Sequence, residues 1–296
     1  MEEELKIKIQ DHIDEISREI LESAKRRIRE EENIKASHEE QWMESIDARG
    51  NNPTPFKKKV LVVVATPKSE KEYRDSEEFT AIEKLIYDQT FVDEGVIDLH
   101  LDLRIVSNNT SGLSEVYNRF INVDYEDHYV CFIHDDLIIQ DTLFFEKLQK
   151  YHETFEVLGV AGATKMMLPF NEKRPTAWNI LCKDEKGVAH AAGQVIHQHE
   201  GKTWASHYGM TPDYGKLIDG ILMSFDVSKC LEYGFKFDER FTFHHYDLSA
   251  SIRALECGFN IGIVPISVLH KSIGQIGEEW KQSHRKFVNA YREYGR

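Results

Sequence analysis

The sequence is poor in the features that mark several whole classes of protein. It holds four cysteines, Cys131, Cys182, Cys230 and Cys257, scattered with no C-x-x-C pair. That spacing reads as buried free thiols in a reducing compartment. Positive charge is in deficit: 37 Lys and Arg stand against 51 Asp and Glu, a net charge of −14. An acidic surface repels phosphates of nucleic acid and anionic lipid, so no general nucleic-acid-binding face is expected. No apolar run approaches the roughly 20 residues that span a bilayer. The opening Met1-Glu2-Glu3-Glu4 lacks the basic start of a secretory signal. These absences point to a cytoplasmic protein with no transmembrane segment. Internal repeats and low-complexity tracts are missing as well.

What is present is enough for a large core, with 41% hydrophobic residues in a chain of 296. Residues 1–50 differ from the rest. Leu5, Ile9, Ile13, Ile16, Ile20, Ala24 and Ile28 recur at steps of three and four, an apolar stripe on one face of a helix. Its other faces are charged, and such a helix is not stable alone. It is expected to pack on the domain, to pair with a second copy in a homo-oligomer, or to dock a partner. Residues 51–57, with Asn51-Asn52-Pro53-Thr54-Pro55, read as a linker.

From 58 to 296 strands and helices alternate. The β-branched run 59–65 predicts a buried strand. Helical spacing follows over 76–91, a strand over 99–106 and a helix over 112–123. A buried strand is expected at 129–133, a helix at 142–155 and a short strand at 158–162. The segment 165–215 is rich in Gly, His, Trp and Tyr and reads as hairpins and loops that face a ligand. Regular structure returns as a strand over 217–225, a helix over 246–257 and an extended stretch over 260–269. The order predicts an α/β fold with an open, mostly parallel sheet covered by helices on both faces.

His134-Asp135-Asp136 directly follows the apolar strand 129–133. Charged residues there sit at the carboxyl end of a strand, where open α/β sheets bind ligands. Two adjacent carboxylates repel each other, and a hard divalent cation such as Mg²⁺ or Mn²⁺ relieves that, bound together with a diphosphate. The plainer reading is a loop in which one Asp caps the next segment.

The last third adds an ordered series. Phe237-Asp238-Glu239-Arg240-Phe241 leads to His244-His245-Tyr246-Asp247-Leu248 and Arg253. Gly258-Phe259, the run Ile261 to Pro265 and His270 follow. This series resembles the family 2 glycosyltransferases and their relatives of GT-A fold, whose tail runs F-D-E-x-F, D-L-x-x-R, G-[YF]-x-[IV]-x-x-[VI]-P and a late His. Val62 to Pro67 is similar to the family's first strand and nucleotide turn. Ser107-Asn108-Asn109 through Gly112, Leu113 and Asn118 is similar to its N-x-G-x-x-x-A-x-N helix. His134-Asp135-Asp136 occupies the D-x-D position, and Asp219-Gly220 that of a D-G near the acceptor. The resemblance spans roughly 58–275.

The resemblance implies transfer of a sugar from a nucleoside diphosphate sugar, UDP-sugar first, to an unidentified acceptor. Thr66, Asn109, Asn118 and Asp135 would lie near the donor. Asp136 and His270 would hold the metal, Mn²⁺ or Mg²⁺. Asp219 and Gly220 would lie near the acceptor. The chain departs from the pattern at His134, where the family has Asp, and at His244-His245, where it has a Glu-Asp pair. The catalytic base is therefore Asp247 or His245.

Two other functions compete. His134-x-Asp136 with a distant His270 has the form of a non-haem Fe(II) oxygenase site of two His and one carboxylate. A catalytically inert binding or scaffold protein, with the N-terminal helix as its working part, is the other. Trp178, Trp204 and Tyr208 read either as core packing or as rings that stack on a sugar or base. His128, His197, His199 and His207 read as ordinary surface or core histidines, and Lys57-Lys58-Lys59 as a solvated strand entry.

Overall fold

A run of β-branched residues with no polar interruption offers no face to water, and 59–65 behaves that way. Neighbouring side chains on a strand point to opposite faces. Every residue from Val60 to Ala65 is buried, so both faces of the sheet are covered at this strand. The same holds from Tyr129 to Ile133.

The computed structural model describes residues 58–88, 90–93, 96–99, 101–170, 177–272 and 276–294. They fall within one unit, Phe56–Arg296. The expected helix at 1–50 and linker at 51–57 lie outside the described residues. In chain order the elements begin with β1 (Lys59–Ala65), α1 (Glu70–Arg74), α2 (Glu77–Asp88), β2 (Thr90–Asp93), β3 (Val96–Leu99), β4 (Leu101–Val106) and α3 (Leu113–Asn118). Next come β5 (His128–Ile133), β6 (Leu137–Ile139), α4 (Phe144–His152), β7 (Val157–Gly159), β8 (Ala161–Ala163) and α5 (Trp178–Leu181). Then follow β9 (Ala191–His199), β10 (Lys202–Gly209), β11 (Asp213–Gly215), β12 (Leu217–Ile218), β13 (Leu222–Asp226) and α6 (Val227–Glu232). The chain ends in α7 (Tyr246–Glu256), β14 (Ile261–Ile263), β15 (Val268–His270) and α8 (Glu278–Ala290). No helix among the described residues is long and apolar enough to cross a membrane.

The fold is α/β, but its main sheet is mixed, not mostly parallel as the sequence predicts. Seven strands run in the order β11-β14-β7-β13-β5-β1-β4. β1 is parallel to β4 and to β5, and β14 to β7. β13 is antiparallel to β5 and to β7, and β11 to β14. The physical reason is simple. A continuous apolar run reports burial on both faces and carries no information about strand direction.

A second sheet, in the order β12-β8-β9-β15-β6 with β10 on β9, stands beside the first. Four apolar stretches that read as single strands, or as a strand and a loop, pass from one sheet into the other. They are β5 into β6, β7 into β8, β12 into β13, and β14 into β15. The breaks fall at His134-Asp135-Asp136, Val160, Asp219-Gly220-Ile221 and Val264 to Ser267. Two of these crossings carry the residues singled out for chemistry.

Candidate functional site

Parallel strands that end level bring the residues just beyond them together. Ala65 is in register with Val106, and Val64 with both Ile105 and Ile133. The turns after β1 and β4 are then laced by main-chain bonds. Thr66 N–H donates to Val106 O at 3.0 Å, Asn109 N–H to Thr66 O at 2.9 Å, and Asn108 N–H to Lys68 O at 2.8 Å. Asn108 has φ 50°, a left-handed conformation that Asn tolerates better than most residues. Buried Thr66 donates its hydroxyl to Asp135 Oδ2 at 2.5 Å, and Lys68 Nζ stands 3.8 Å from the same oxygen. Thr66, Asn109 and Asp135 are thus neighbours. The Asn109 side chain is occupied locally, since its Oδ1 accepts from Ser111 N–H and its Nδ2 donates to Ser111 O.

Asn118 does not join them. Its amide donates to Phe237 O at 3.0 Å and to Glu239 at 2.9 Å, and accepts from Phe237 N–H at 2.8 Å. It pins α3 to the 237–239 segment, away from Thr66 and Asp135. A cavity of about 760 Å³ opens on this side, lined by Asn118, Lys236, Arg240, Arg253 and Tyr291 among others. Arg240 pairs with Asp238 and Arg253 with Glu256, while Lys236 donates to the main-chain carbonyl of Ile121 and Glu239 accepts from Asn118. It shares no residue with the chemistry described next.

The crossing from β5 to β6 turns His134 and Asp136 toward the end of β15. His270 is in register with Leu137, and Lys271 N–H donates to Asp136 O at 3.0 Å. One ligand atom from each of His134, Asp136 and His270 lies within 4.8 Å of the others. Asp136 Oδ1 is 3.3 Å from His270 Nε2 and 3.9 Å from His134 Nδ1. That oxygen is buried and lacks a hydrogen bond of good geometry. Burial alone would raise the Asp136 carboxyl, but His270, Ser272 and His134 outweigh it and hold it well below the usual carboxylate range. Burial, then the neighbouring His270, lowers His134.

Tyr246 settles the tautomer of His134. Its hydroxyl donates to Gly220 O at 2.8 Å and lies 2.9 Å from His134 Nε2. A hydroxyl has one proton to give, so His134 Nε2–H is the donor in the second bond. Nδ1 then keeps its lone pair on the side of Asp136. Two imidazoles and a carboxylate, one oxygen of it buried without a good partner, suit a divalent transition metal.

Asp219, Gly220 and Asp247 stand next to this cluster. Gly220 N–H donates to Asp247 Oδ2 at 3.2 Å. Trp178 Nε1–H donates to Asp219 Oδ2 at 2.8 Å, and Ile221 N–H to Asp219 Oδ1 at 3.1 Å. Burial, then the charge of Asp219, pushes the Asp247 carboxyl up to about 7. Gly220 has no room for a side chain, since a Cβ there would lie 2.2 Å from the Tyr246 hydroxyl.

His245 faces elsewhere. It occupies the residue before α7 in a left-handed conformation, φ 64°. Its Nδ1 meets Ser283 Oγ at 2.9 Å, and its ring packs on Trp280 and Phe287 of α8. Burial, then His284 and His244, lowers it to about 3. Of the two candidate bases, Asp247 is the one tied to Gly220 and the crossing beside the cluster.

Sequence reasoning named Asp136 and His270 as metal ligands but left His134 to the iron reading. It missed Tyr246 as the residue that orients His134. It treated His197 as ordinary, although β9 and β15 place it in register with His270. The His134–Tyr246 pair has no short-range signal, because it spans two elements 112 residues apart.

No family model matches this chain, and no curated protein matches it. Among solved structures, the crystal structure of A197 from STIV aligns over 74% of this chain and 98% of its own, with 9% identity and a TM-score of 0.36. At that identity and score the match bears on neither fold nor activity.

Proposed function

We propose that this chain is a metal-dependent glycosyltransferase of GT-A type. It moves a sugar from a nucleoside diphosphate sugar, UDP-sugar first, to an acceptor hydroxyl. One observation carries the reading: the His134–Asp136–His270 cluster adjoins the Thr66–Asp135 contact where three parallel strands end. Open α/β sheets bind nucleotides in that place.

Thr66, Asp135 and Lys68 line the donor side, with Lys68 Nζ 3.8 Å from Asp135 Oδ2. His134, Asp136 and His270 would hold the metal. Two imidazole nitrogens in that set favour Mn²⁺ over Mg²⁺, which prefers oxygen ligands. The bound cation would neutralise charge that gathers on the leaving diphosphate. Asp247 is the base. A carboxyl raised to about 7 is close to half ionised at neutral pH and accepts a proton from the acceptor hydroxyl with little driving force wasted. Burial, then the charge of Asp219, sets that basicity, and Gly220 N–H orients the carboxylate.

The donor set itself favours a second reading, a non-haem Fe(II) oxygenase, since two His and one carboxylate are its usual ligands. Release of UDP from a panel of UDP-sugars in Mn²⁺, set against anaerobic Fe(II) loading with consumption of a 2-oxo acid, separates the two. Metal-dependent UDP release, lost in Asp136→Asn, supports glycosyl transfer. No binding or turnover of any nucleoside diphosphate sugar in Mn²⁺ overturns it.

A further inference from the structure

A partly exposed tryptophan that is held rigid by a neighbour offers a large apolar face to a ligand. Trp204 is 40% exposed, whereas Trp178 is 7% exposed. It sits on β10 directly opposite His197 of β9, so the two side chains share a face of the hairpin. Their rings stack, with centroids 5.3 Å apart and planes 22° from parallel. One face of the indole is therefore backed by the imidazole, and the ring is held in place before any ligand arrives.

The stack leads back to the metal cluster. The His197 ring is 6.0 Å from that of His270, which is 5.6 Å from that of His134. The same hairpin is fixed at its other end. The β9–β10 ladder is irregular between His207 and Gly209, and Tyr208 there packs edge-on against Trp178 at 4.9 Å. Trp178 in turn donates to Asp219. An exposed, prestacked ring thus stands on a wall that meets His270 through His197 and Trp178, the hydrogen-bond donor to Asp219, through Tyr208.

We infer that the exposed face of Trp204 is an acceptor subsite that stacks the apolar face of a sugar ring. The inference rests on the glycosyl-transfer reading and names its acceptor class: a neutral oligosaccharide. Sugar C–H groups pack on an indole face, and sugar hydroxyls are donors that suit the nearby carboxylates Asp219 and Asp247. A second nucleotide fits less well, because its phosphates would meet those carboxylates. Trp204 is separated from His270 by the whole His197 ring. It therefore touches a sugar unit removed from the reacting one, and a monosaccharide acceptor would not reach it.

The test uses the full chain with Mn²⁺ and UDP, titrated calorimetrically with neutral mono-, di-, tri- and tetrasaccharides of glucose, N-acetylglucosamine and mannose. At least one oligosaccharide binds the wild type, and its Kd rises about tenfold or more in Trp204→Ala, while Trp204→Phe keeps most of the affinity. The thermal shift that UDP and Mn²⁺ give the alanine variant reports that it is folded. A wild type that binds UDP with Mn²⁺ but no oligosaccharide overturns the subsite and leaves glycosyl transfer standing. Equal oligosaccharide affinity in wild type and Trp204→Ala also overturns it. Failure of UDP to bind with Mn²⁺ strikes the glycosyl-transfer reading instead, whatever the saccharides do.

Discussion

Asp136 Oδ1 lies 3.3 Å from His270 Nε2, across 134 residues of chain, because β6 and β15 pair with Leu137 opposite His270. The strand pairing of the smaller sheet thus assembles two members of the cluster, and Tyr246 turns the third, His134, toward them. The behaviour of the site follows from these few contacts.

On the proposed glycosyl transfer, Asp247 as the base would set the pH dependence. Its carboxyl is pushed up to about 7 by burial and by Asp219, so the basic form fills only as pH passes that value. The ratio kcat/KM should rise through about pH 7 and level off above it. Stability runs the other way. The folded chain holds this proton above the value of about 4 for an unfolded Asp, so the favourable contribution is present below pH 4 and is lost as pH rises through 7. Asp247→Asn should lower kcat by about 10²–10⁴-fold and remove the rising limb. It should also flatten that part of the melting temperature's pH dependence. A rising limb that survives in Asp247→Asn would assign the base to another residue.

Gly220 governs the crossing between β12 and β13. A Cβ there would lie 2.2 Å from the Tyr246 hydroxyl, which must then leave both Gly220 O and His134. Gly220→Ala should cost about 1–3 kcal/mol of stability, the usual range for overpacking a filled site. It should also weaken Mn²⁺ binding, because His134 loses its orienting partner. Denaturant melts and a metal titration check both effects. A variant as stable as the wild type, with its metal affinity intact, would refute this role for the glycine.

Asn118 is a brace. Its amide makes three hydrogen bonds to Phe237 and Glu239. Asn118→Ala should cost about 1–3 kcal/mol and leave the affinity for UDP with Mn²⁺ unchanged. Weakened UDP binding at unchanged stability would restore the donor role that the resemblance implies.

The elements most legible in the sequence were those whose pattern is local. β1 and β5 stand where the β-branched and apolar runs predict them, because full burial on both faces leaves a continuous hydrophobic run. The helix expected at 76–91 is found as α2, which ends at Asp88 before β2, and it is preceded by the short α1, for which Ser69 and Glu72 form a capping box. The strand expected at 99–106 is β4, preceded by a separate β2–β3 pair. The second sheet was not legible. β6, β8, β12 and β15 have two or three residues each, too few for any periodicity. Their pairing is set by neighbours distant in sequence, so 158–162, 217–225 and 260–269 each read as one strand and are each divided between two sheets. In the site, Asp135 and Asp136 stand out in the sequence by their place after a strand, and His270 stands out by the resemblance alone. Where His245 and Asn118 turn was not legible, because a residue's position in a motif does not tell which way its side chain points. His245 turns toward α8, and Asn118 toward Phe237.

The central claim is that His134, Asp136 and His270 together hold a divalent cation beside a nucleoside diphosphate. It is tested most directly by calorimetric titration of Mn²⁺ into the full chain with and without UDP. The wild type should bind one Mn²⁺, more tightly with UDP and more tightly than Mg²⁺, and Asp136→Ala, His270→Ala and His134→Ala should each weaken it by about tenfold or more. Mn²⁺ binding that is absent with and without UDP, or that survives all three substitutions unchanged, would contradict the account.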